Sequence, residues 1–184
     1  KLKTTSYKLI GNLPFYLTAP VIRQFLENTR VRPVYMILVV QKEVGQRICA
    51  KPPRPKGARL APQRGAARMN LLAVSVQFYA EPKIVSYISK NSFWPSPEVD
   101  AAIIKIVPKP KLSGSFLVGL FFKIVKAGFS QPRKQLINNL SKKLNLDREE
   151  VKKWLLKNNI QPTQRAETLS VDDWLKLTKS LIKT

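Results

Sequence analysis

The sequence has 184 residues, 44% of them hydrophobic, which is enough for one or two compact domains with an apolar core. Its 33 Lys and Arg against 11 Asp and Glu give a formal charge of +22, and this excess predicts a polyanionic partner. Because the sequence contains no histidine, a Ser-His-Asp triad, a papain-like pair and a zinc-protease helix are excluded. The single cysteine, Cys49, excludes an internal disulfide and a cysteine-based zinc cluster, and it favours a reducing, cytoplasmic compartment.

Nucleic acid and an anionic membrane surface both match such a charge. The longest apolar stretches, 34–40 and 116–125, are too short to span a bilayer. The basic residues are also spread over loops and several elements instead of one amphipathic face. A membrane-surface module therefore ranks well below a nucleic-acid-binding protein.

The first half of the chain has an α/β pattern. A short buried strand is predicted at 7–10, with a turn at 11–14 and a helix at 18–28 that Thr18 would cap. The β-rich apolar run 33–40 is typical of a strand covered on both faces, as in a parallel sheet. The next predicted elements are a short helix at 41–50, a mobile basic loop at 51–70, a helix at 71–80, and strands at 83–89 and 99–107. These last two strands should pair antiparallel across a proline-rich loop.

Beyond a Pro, Lys, Ser and Gly linker at 108–114, every apolar pattern has helical spacing. Two helices are expected after Asp147 and Ser170, which are the predicted caps. The change of period predicts two domains, an α/β domain at 1–110 and a small all-α domain at 111–184.

The tetrapeptide Asn12-Leu13-Pro14-Phe15 stands where a strand ends in a turn, which is where open α/β sheets bind ligands. The Asn12 carbonyl and a backbone carbonyl can each accept one hydrogen of an adenine amino group. The nitrogen lone pair would then point at an electrophile, while Phe15 could stack on the base. On these four residues alone, an ordinary Asn-x-Pro turn is the favoured interpretation.

A second candidate is the loop Phe93-Trp94-Pro95-Ser96-Pro97, which presents two aromatic side chains just before a strand. Rigid exposed aromatics are good stacking platforms for unpaired bases. Alternatively, one of the two aromatics is a core residue pinned by the prolines. Phe93 is the one we assign to the base.

Six motifs occur in order along the chain. They are Gly11-Asn12-Leu13-Pro14-Phe15-Tyr16-Leu17, Gln41-Lys42-Glu43-Val44, Gln77-Phe78-Tyr79-Ala80, Phe93-x-Pro95-x-Pro97-x-Val99-Asp100, Phe129-Ser130-Gln131-Pro132-Arg133-Lys134 and Arg165-Ala166-Glu167-Thr168-Leu169-Ser170. Together they resemble the ribosomal RNA adenine N(6)-dimethyltransferases, over nearly the whole chain apart from about 53–68.

This resemblance implies an enzyme that transfers two methyl groups from S-adenosylmethionine to each of two adjacent adenosines near the 3′ end of small-subunit ribosomal RNA. The implied fold is the C-terminal part of a Rossmann-like methyltransferase sheet followed by the small all-α domain. The implied partners are that RNA or a pre-ribosomal particle, with the protein acting as a cytoplasmic monomer in ribosome biogenesis.

Carried over to this sequence, the catalytic motif is Asn12, Leu13, Pro14 and Phe15. Asn12 and the Pro14 backbone would hold the amine, Phe15 and Phe93 would sandwich a flipped base, and Asn12 would also approach the cofactor. The residues expected to meet RNA phosphates are Arg133 and Lys134, with Arg54, Arg59, Arg64 and Arg68 in the basic loop. The segment around Arg133 and Lys134 also resembles an ordinary helix start.

The sequence departs from the family pattern at its beginning. The family's glycine-rich cofactor loop and acidic cofactor residues precede the Asn-Leu-Pro motif, and only eleven residues precede Asn12 here. Gly57 and Gly65 do not replace that loop, because no strand precedes them and no carboxylate follows at the required distance. We therefore expect a truncated chain that does not bind S-adenosylmethionine alone and whose first strand forms an exposed, aggregation-prone sheet edge. The stretch 55–68 also differs from the family.

The competing interpretation is a non-catalytic RNA-binding factor of ribosome assembly, which would bind RNA without methyl transfer. In both cases the charge predicts RNA affinity that falls steeply with salt, because Lys and Arg replace phosphate counterions.

Overall fold

The computed structural model describes residues 6–27, 31–53, 67–110 and 115–182. These residues form a mixed α/β structure, as predicted. Its strands are β1 (Lys8–Asn12), β2 (Tyr35–Gln41), β3 (Ala80–Ile88) and β4 (Ala101–Pro108). Its α-helices are α1 (Thr18–Glu27), α2 (Lys42–Ile48), α3 (Leu71–Tyr79), α4 (Ser115–Gly128), α5 (Leu136–Leu144), α6 (Arg148–Lys157) and α7 (Val171–Ile182). Short 3-10 helices lie at Phe15–Leu17, Lys90–Ser92 and Ala166–Thr168.

The contacts divide the chain into two compact units. The first contains Lys1–Cys49 and Ser75–Lys111 and holds the sheet, whereas the second contains Ala50–Val74 and Leu112–Thr184 and holds helices α4 to α7. The contacts thus group the described residues 50–53 and 67–74 with the helices.

The four strands form one sheet in the order β1-β2-β4-β3. β1 and β2 are parallel, as expected for a pair connected through a helix, while β4 runs antiparallel to both β2 and β3. The antiparallel pairing of the last two strands across the proline-rich loop is confirmed. The predicted exposed edge is also confirmed within the described sheet, since β1 pairs only with β2 and Ile10 is 73% exposed.

The prediction that β2 is covered on both faces is wrong for one face. Met36, Leu38 and Val40 are fully buried, but the residues between them are only partly buried. A continuous apolar run does not show which face neighbouring elements cover. Here α2 lies against the buried face at Gly45, where an added Cβ would lie 3.5 Å from the Val40 Cγ2 of β2 and 3.0 Å from the Ala102 Cβ of β4.

The predicted helix cap at Thr18 is also wrong. The 3-10 helix Phe15–Leu17 runs directly into α1, so Thr18 already has helical dihedral angles of φ −54° and ψ −55°. Thr18 is buried, and its hydroxyl has no hydrogen-bond partner within the described residues. A residue inside a helical stretch cannot act as the flanking cap of that helix.

The second unit packs around Trp174, whose indole ring is fully buried. Gly128 ends α4 against this ring, and a Cβ at that position would overlap it. Asp147 caps α6 by accepting the backbone N–H groups of Glu149 and Glu150, as predicted. Ser170 caps α7 as predicted, because its hydroxyl accepts the Asp173 N–H at 3.1 Å while the Asp173 carboxylate accepts the Ser170 N–H at 2.9 Å.

Candidate functional site

The Asn-Leu-Pro motif follows directly from the end of β1. Asn12 is the last residue of that strand and is exposed, and the Leu13 N–H extends the pairing to the Val39 carbonyl at 3.3 Å. Within the described residues the Asn12 side chain forms no hydrogen bond, so its amide is free to bind a ligand. The Pro14 carbonyl accepts the Leu17 N–H at 2.9 Å, which leaves its second lone pair for another donor.

The proline-rich loop is held at its base by short-range hydrogen bonds. The Lys90 carbonyl accepts both the Phe93 N–H at 3.3 Å and the Ser96 hydroxyl at 3.0 Å. Ser89 caps the 3-10 helix by accepting the Asn91 N–H. The backbone carrying the aromatic residues is therefore fixed independently of their side chains.

Neither aromatic residue of this loop is in the core. Phe93 is half-buried, and Trp94 is 97% exposed. The alternative that one of them is a core residue is therefore wrong, since the loop lies at the surface. Sequence reasoning offered both aromatic residues as stacking platforms and assigned the target base to Phe93.

A cavity of about 370 Å³ joins the two motifs. It is lined by Asn12, Leu13, Pro14, Val39, Phe93, Trp94, Pro95, Pro97 and Ala101. The structure thus brings together four of the predicted site residues, Asn12, Leu13, Pro14 and Phe93. The fifth, Phe15, begins the following 3-10 helix, but its side chain lies outside the described part of the structure.

The lining combines an amide, backbone carbonyls and flat apolar surfaces, which suits a planar base with an amino group. None of these lining residues is acidic, so the described cavity has no carboxylate for ribose hydroxyls. The described lining therefore suits a base but provides no carboxylate for the ribose of a nucleoside cofactor.

Asp100 connects the aromatic loop to α2. Its carboxylate accepts the Lys42 ammonium at 3.0 Å and the Lys90 N–H at 3.2 Å, and its backbone carbonyl accepts the Lys42 N–H at 2.9 Å. The Lys42 side chain, followed by the Lys90 N–H, holds the pKa of Asp100 below its usual value. The sequence contained both residues in its motifs but gave no reason to pair them, because 58 positions separate them.

Arg133 and Lys134 are exposed on a turn between α4 and α5. The Lys134 N–H closes this turn on the Gln131 carbonyl at 3.0 Å. The alternative of a helix start here is wrong, since α5 begins at Leu136 with Gln135 as its flanking residue. The side-chain amide of buried Asn139 donates to the Gly128 carbonyl at 2.7 Å and to the Gln131 carbonyl at 3.0 Å, which ties the turn to the helices.

The basic loop gives a mixed result. Arg54, Arg59 and Arg64 lie outside the described residues. Arg68 is described, and its guanidinium forms an ion pair with Glu167 at 2.9 Å. That pairing reduces the charge that Arg68 can offer to a phosphate.

No described helix is long and apolar enough to cross a bilayer. No group of three or more Cys, Asp or Glu that could hold a metal ion occurs in the described ranges.

Comparison with solved structures places the fold among ribosomal RNA methyltransferases. The chain matches a 23S rRNA methyltransferase, ErmE, with a TM-score of 0.69 and 18% identity, over 96% of this chain and 66% of that one. It matches a dimethyladenosine transferase from Plasmodium falciparum with the same TM-score and 22% identity, over 96% and 67% of the two chains. At these identities the likeness shows the Rossmann-like methyltransferase fold.

The family follows from sequence. The model of the ribosomal RNA adenine dimethylases matches residues 2–183, so the chain belongs to that family, whose members depend on S-adenosylmethionine. It is 41% identical over 172 residues to ribosomal RNA small subunit methyltransferase A of Dehalococcoides mccartyi (strain CBDB1), covering 93% of this chain and 54% of that protein. It is 35% identical over 179 residues to the protein of the same name from Bacillus thuringiensis (strain Al Hakam), covering 95% and 56%. The chain thus spans about half the length of these curated relatives.

Proposed function

We propose that this chain is the target-base and RNA-contacting part of an enzyme that uses S-adenosylmethionine to dimethylate two adjacent adenosines near the 3′ end of small-subunit ribosomal RNA. The observation that carries the proposal is the single cavity shared by Asn12, Pro14 and Phe93. Residues far apart in sequence there supply hydrogen-bond acceptors and an aromatic face for one adenine.

The acceptors suit an exocyclic amine. The Asn12 side-chain carbonyl takes one amine hydrogen, and the free lone pair of the Pro14 carbonyl takes the other. Holding both hydrogens draws the nitrogen out of conjugation with the ring and directs its lone pair outward, towards the methyl donor. Neither acceptor is basic, so the proton that the amine loses with each methyl group gained passes to water.

The aromatic faces suit the base itself. Phe93 offers one side of the cavity for stacking, and Phe15 follows Pro14 in the motif that supplies the amine acceptors. Because the amine is unreachable within a stacked helix, the adenosine must be extruded before it enters.

The second unit would position the RNA. Arg133 and Lys134 lie on a turn that is braced by Asn139. Both side chains are exposed, so they are available to bind a phosphate backbone. In this proposal residues 1–110 form the partial methyltransferase domain and 111–184 the RNA-binding domain. The natural partner is the small-subunit RNA or its precursor particle, met by a cytoplasmic monomer.

One observation favours a second candidate function, a non-catalytic RNA-binding factor of ribosome assembly. The cavity lining contains no carboxylate for a cofactor ribose. A protein with this surface alone could bind an unpaired adenine and RNA phosphates without transferring a methyl group.

Two measurements separate the candidates. Calorimetric titration with S-adenosylmethionine is performed on this chain and on the full-length gene product, and methyl transfer to unmethylated small ribosomal subunits is followed with labelled donor. The methyltransferase proposal expects cofactor binding and transfer by the full-length product. The absence of both from that product, together with retained RNA binding, would establish the assembly factor instead.

Asn12→Ala sharpens the test. In the full-length product this change should lower turnover about 100- to 1000-fold, as for other removed polar groups that stabilise developing charge. Asn91→Ala is the matched control, because Asn91 is exposed and does not line the cavity. Equal activity of the Asn12 variant and wild type would contradict the assigned role.

A further inference from the structure

Trp94 is the most exposed large hydrophobic side chain described, at 97%. An indole in water forgoes the transfer free energy that burial would provide. Single exposed hydrophobic residues are common on protein surfaces, so it is the position of Trp94 at a cavity, beside a second aromatic residue, that indicates a ligand. Trp94 is not on a frayed segment, since the loop around it is closed by hydrogen bonds to the Lys90 carbonyl. The same residue lines the cavity that Asn12, Pro14 and Phe93 share.

Trp94 and Phe93 present separate surfaces. Phe93 has an extended backbone, with φ −116° and ψ 150°, and successive side chains of an extended chain point in opposite directions. Their burial differs accordingly, with Phe93 half-buried and Trp94 exposed. A single base stacked on Phe93 therefore leaves the Trp94 indole uncovered.

We infer that Trp94 is a second stacking platform, which holds the base next to the adenine in the cavity. This inference rests on the proposed function. Extruding one adenine from a single strand leaves its neighbour without a stacking partner, and the indole at the cavity rim replaces that partner. Because the substrate carries two adjacent adenosines, the neighbour that Trp94 holds is, in one of the two binding registers, the other target.

The charged side chains around the loop, two lysines and two carboxylates, cancel in formal charge, so the inference rests on stacking and not on charge. Lys90 and Lys42 lie at the base of the loop. The carboxylate of Asp100, which lies beside both residues, is already paired with Lys42. The exposed carboxylate of Glu98 is the opposing charge in the loop. Stacking itself depends little on these charges, and this separates the role of Trp94 from that of a phosphate-binding residue.

The test uses the whole chain and short single-stranded RNAs. One hexanucleotide carries two adjacent adenosines, and its partners carry an abasic ribose on the 5′ or the 3′ side of one adenosine. Binding is measured for wild type, Trp94→Ala, Trp94→Phe and Phe93→Ala at several salt concentrations. Trp94 is exposed, so its variants should fold, and unchanged circular dichroism and thermal midpoints verify this.

If Trp94 stacks the neighbouring base, Trp94→Ala weakens binding of the intact RNA about 5- to 100-fold, and Trp94→Phe much less. The abasic substitution on one side should weaken RNA binding by wild type by a similar factor, and it should not weaken binding by Trp94→Ala any further. The slope of log affinity against log salt should stay the same. RNA should quench the tryptophan fluorescence of wild type, and the quenched part should equal the emission that Trp94→Phe lacks.

Equal weakening of wild type and Trp94→Ala by both abasic RNAs would overturn the inference, while leaving the proposed function intact if Phe93→Ala still reduces binding. Failure of wild type to bind any of these RNAs would overturn the inference, whereas the proposed function would still be decided by methyl transfer by the full-length product.

Discussion

The cavity in the first unit and the helices of the second unit differ in how their polar and aromatic groups are satisfied. In the second unit the Trp174 ring is buried, although its indole N–H has no hydrogen-bond partner within the described residues. Ser170 and Asp173 cap α7 reciprocally, and the buried Asn139 amide donates twice. Around the cavity the Asn12 amide forms no bond within the described residues, and Trp94 is exposed. The Asn139 amide and the α7 cap thus use their polar groups within the fold. Asn12 and Trp94 leave theirs exposed, and this contrast indicates where the molecule binds.

The largest expected effect tests the packed unit. Gly128→Ala should destabilise the protein by about 1 to 3 kcal/mol, because the new methyl group overlaps the buried Trp174 ring. Chemical denaturation followed by circular dichroism measures the change. Gly119→Ala is the matched control on the same helix. Nothing lies within 4 Å of its new Cβ, so it should stabilise the protein by up to about 1 kcal/mol. Equal effects of the two substitutions would contradict the packing argument.

Asn139→Ala should cost about 1 to 3 kcal/mol, because the Gly128 and Gln131 carbonyls lose their shared donor. Replacing the neighbouring, partly buried Asn138 with Ala removes only an exposed bond to Arg148 and should cost less. If Asn139 also braces the phosphate-binding turn, its variant should bind RNA more weakly at temperatures where it remains folded. A stable variant with normal RNA affinity would remove both roles.

The third prediction concerns the exposed cations. Arg133→Ala combined with Lys134→Ala should leave stability within about 0.5 kcal/mol of wild type, because both side chains are exposed. RNA affinity should fall, and the salt dependence should become shallower by about 0.7 per lost phosphate contact on single strands. Lys152→Ala is the control, since that ammonium already pairs with Glu149. An unchanged slope would show that this turn does not contact phosphate.

The smallest effect is the pH dependence at Asp100. Its pKa is below the usual value in the folded protein, so its contribution to stability is present above the unfolded pKa and is lost as pH falls through the folded pKa. That window lies below about pH 4 for an aspartate. Asp100→Asn should therefore reduce the acid sensitivity of unfolding in this range and loosen the loop that carries Phe93. Identical acid titrations of the variant and wild type would contradict the Lys42 pairing.

The sequence by itself determined the elements and much of the site. Period and turn residues predicted the strands, the antiparallel pairing of β3 with β4, and the caps Asp147 and Ser170, because these depend on neighbouring residues. The ordered motifs identified the family and singled out Asn12 and Phe93, which line one cavity.

Tertiary structure decided what depends on distant partners. The one-sided burial of β2 follows from where α2 packs, and Thr18 became helical because a 3-10 turn leads into α1. Arg68 meets Glu167 across 99 positions, which no local pattern encodes. The exposure of Trp94 was decided in the same way. A tryptophan between loop residues is core or surface according to what packs against it, and within the described fold nothing buries this one.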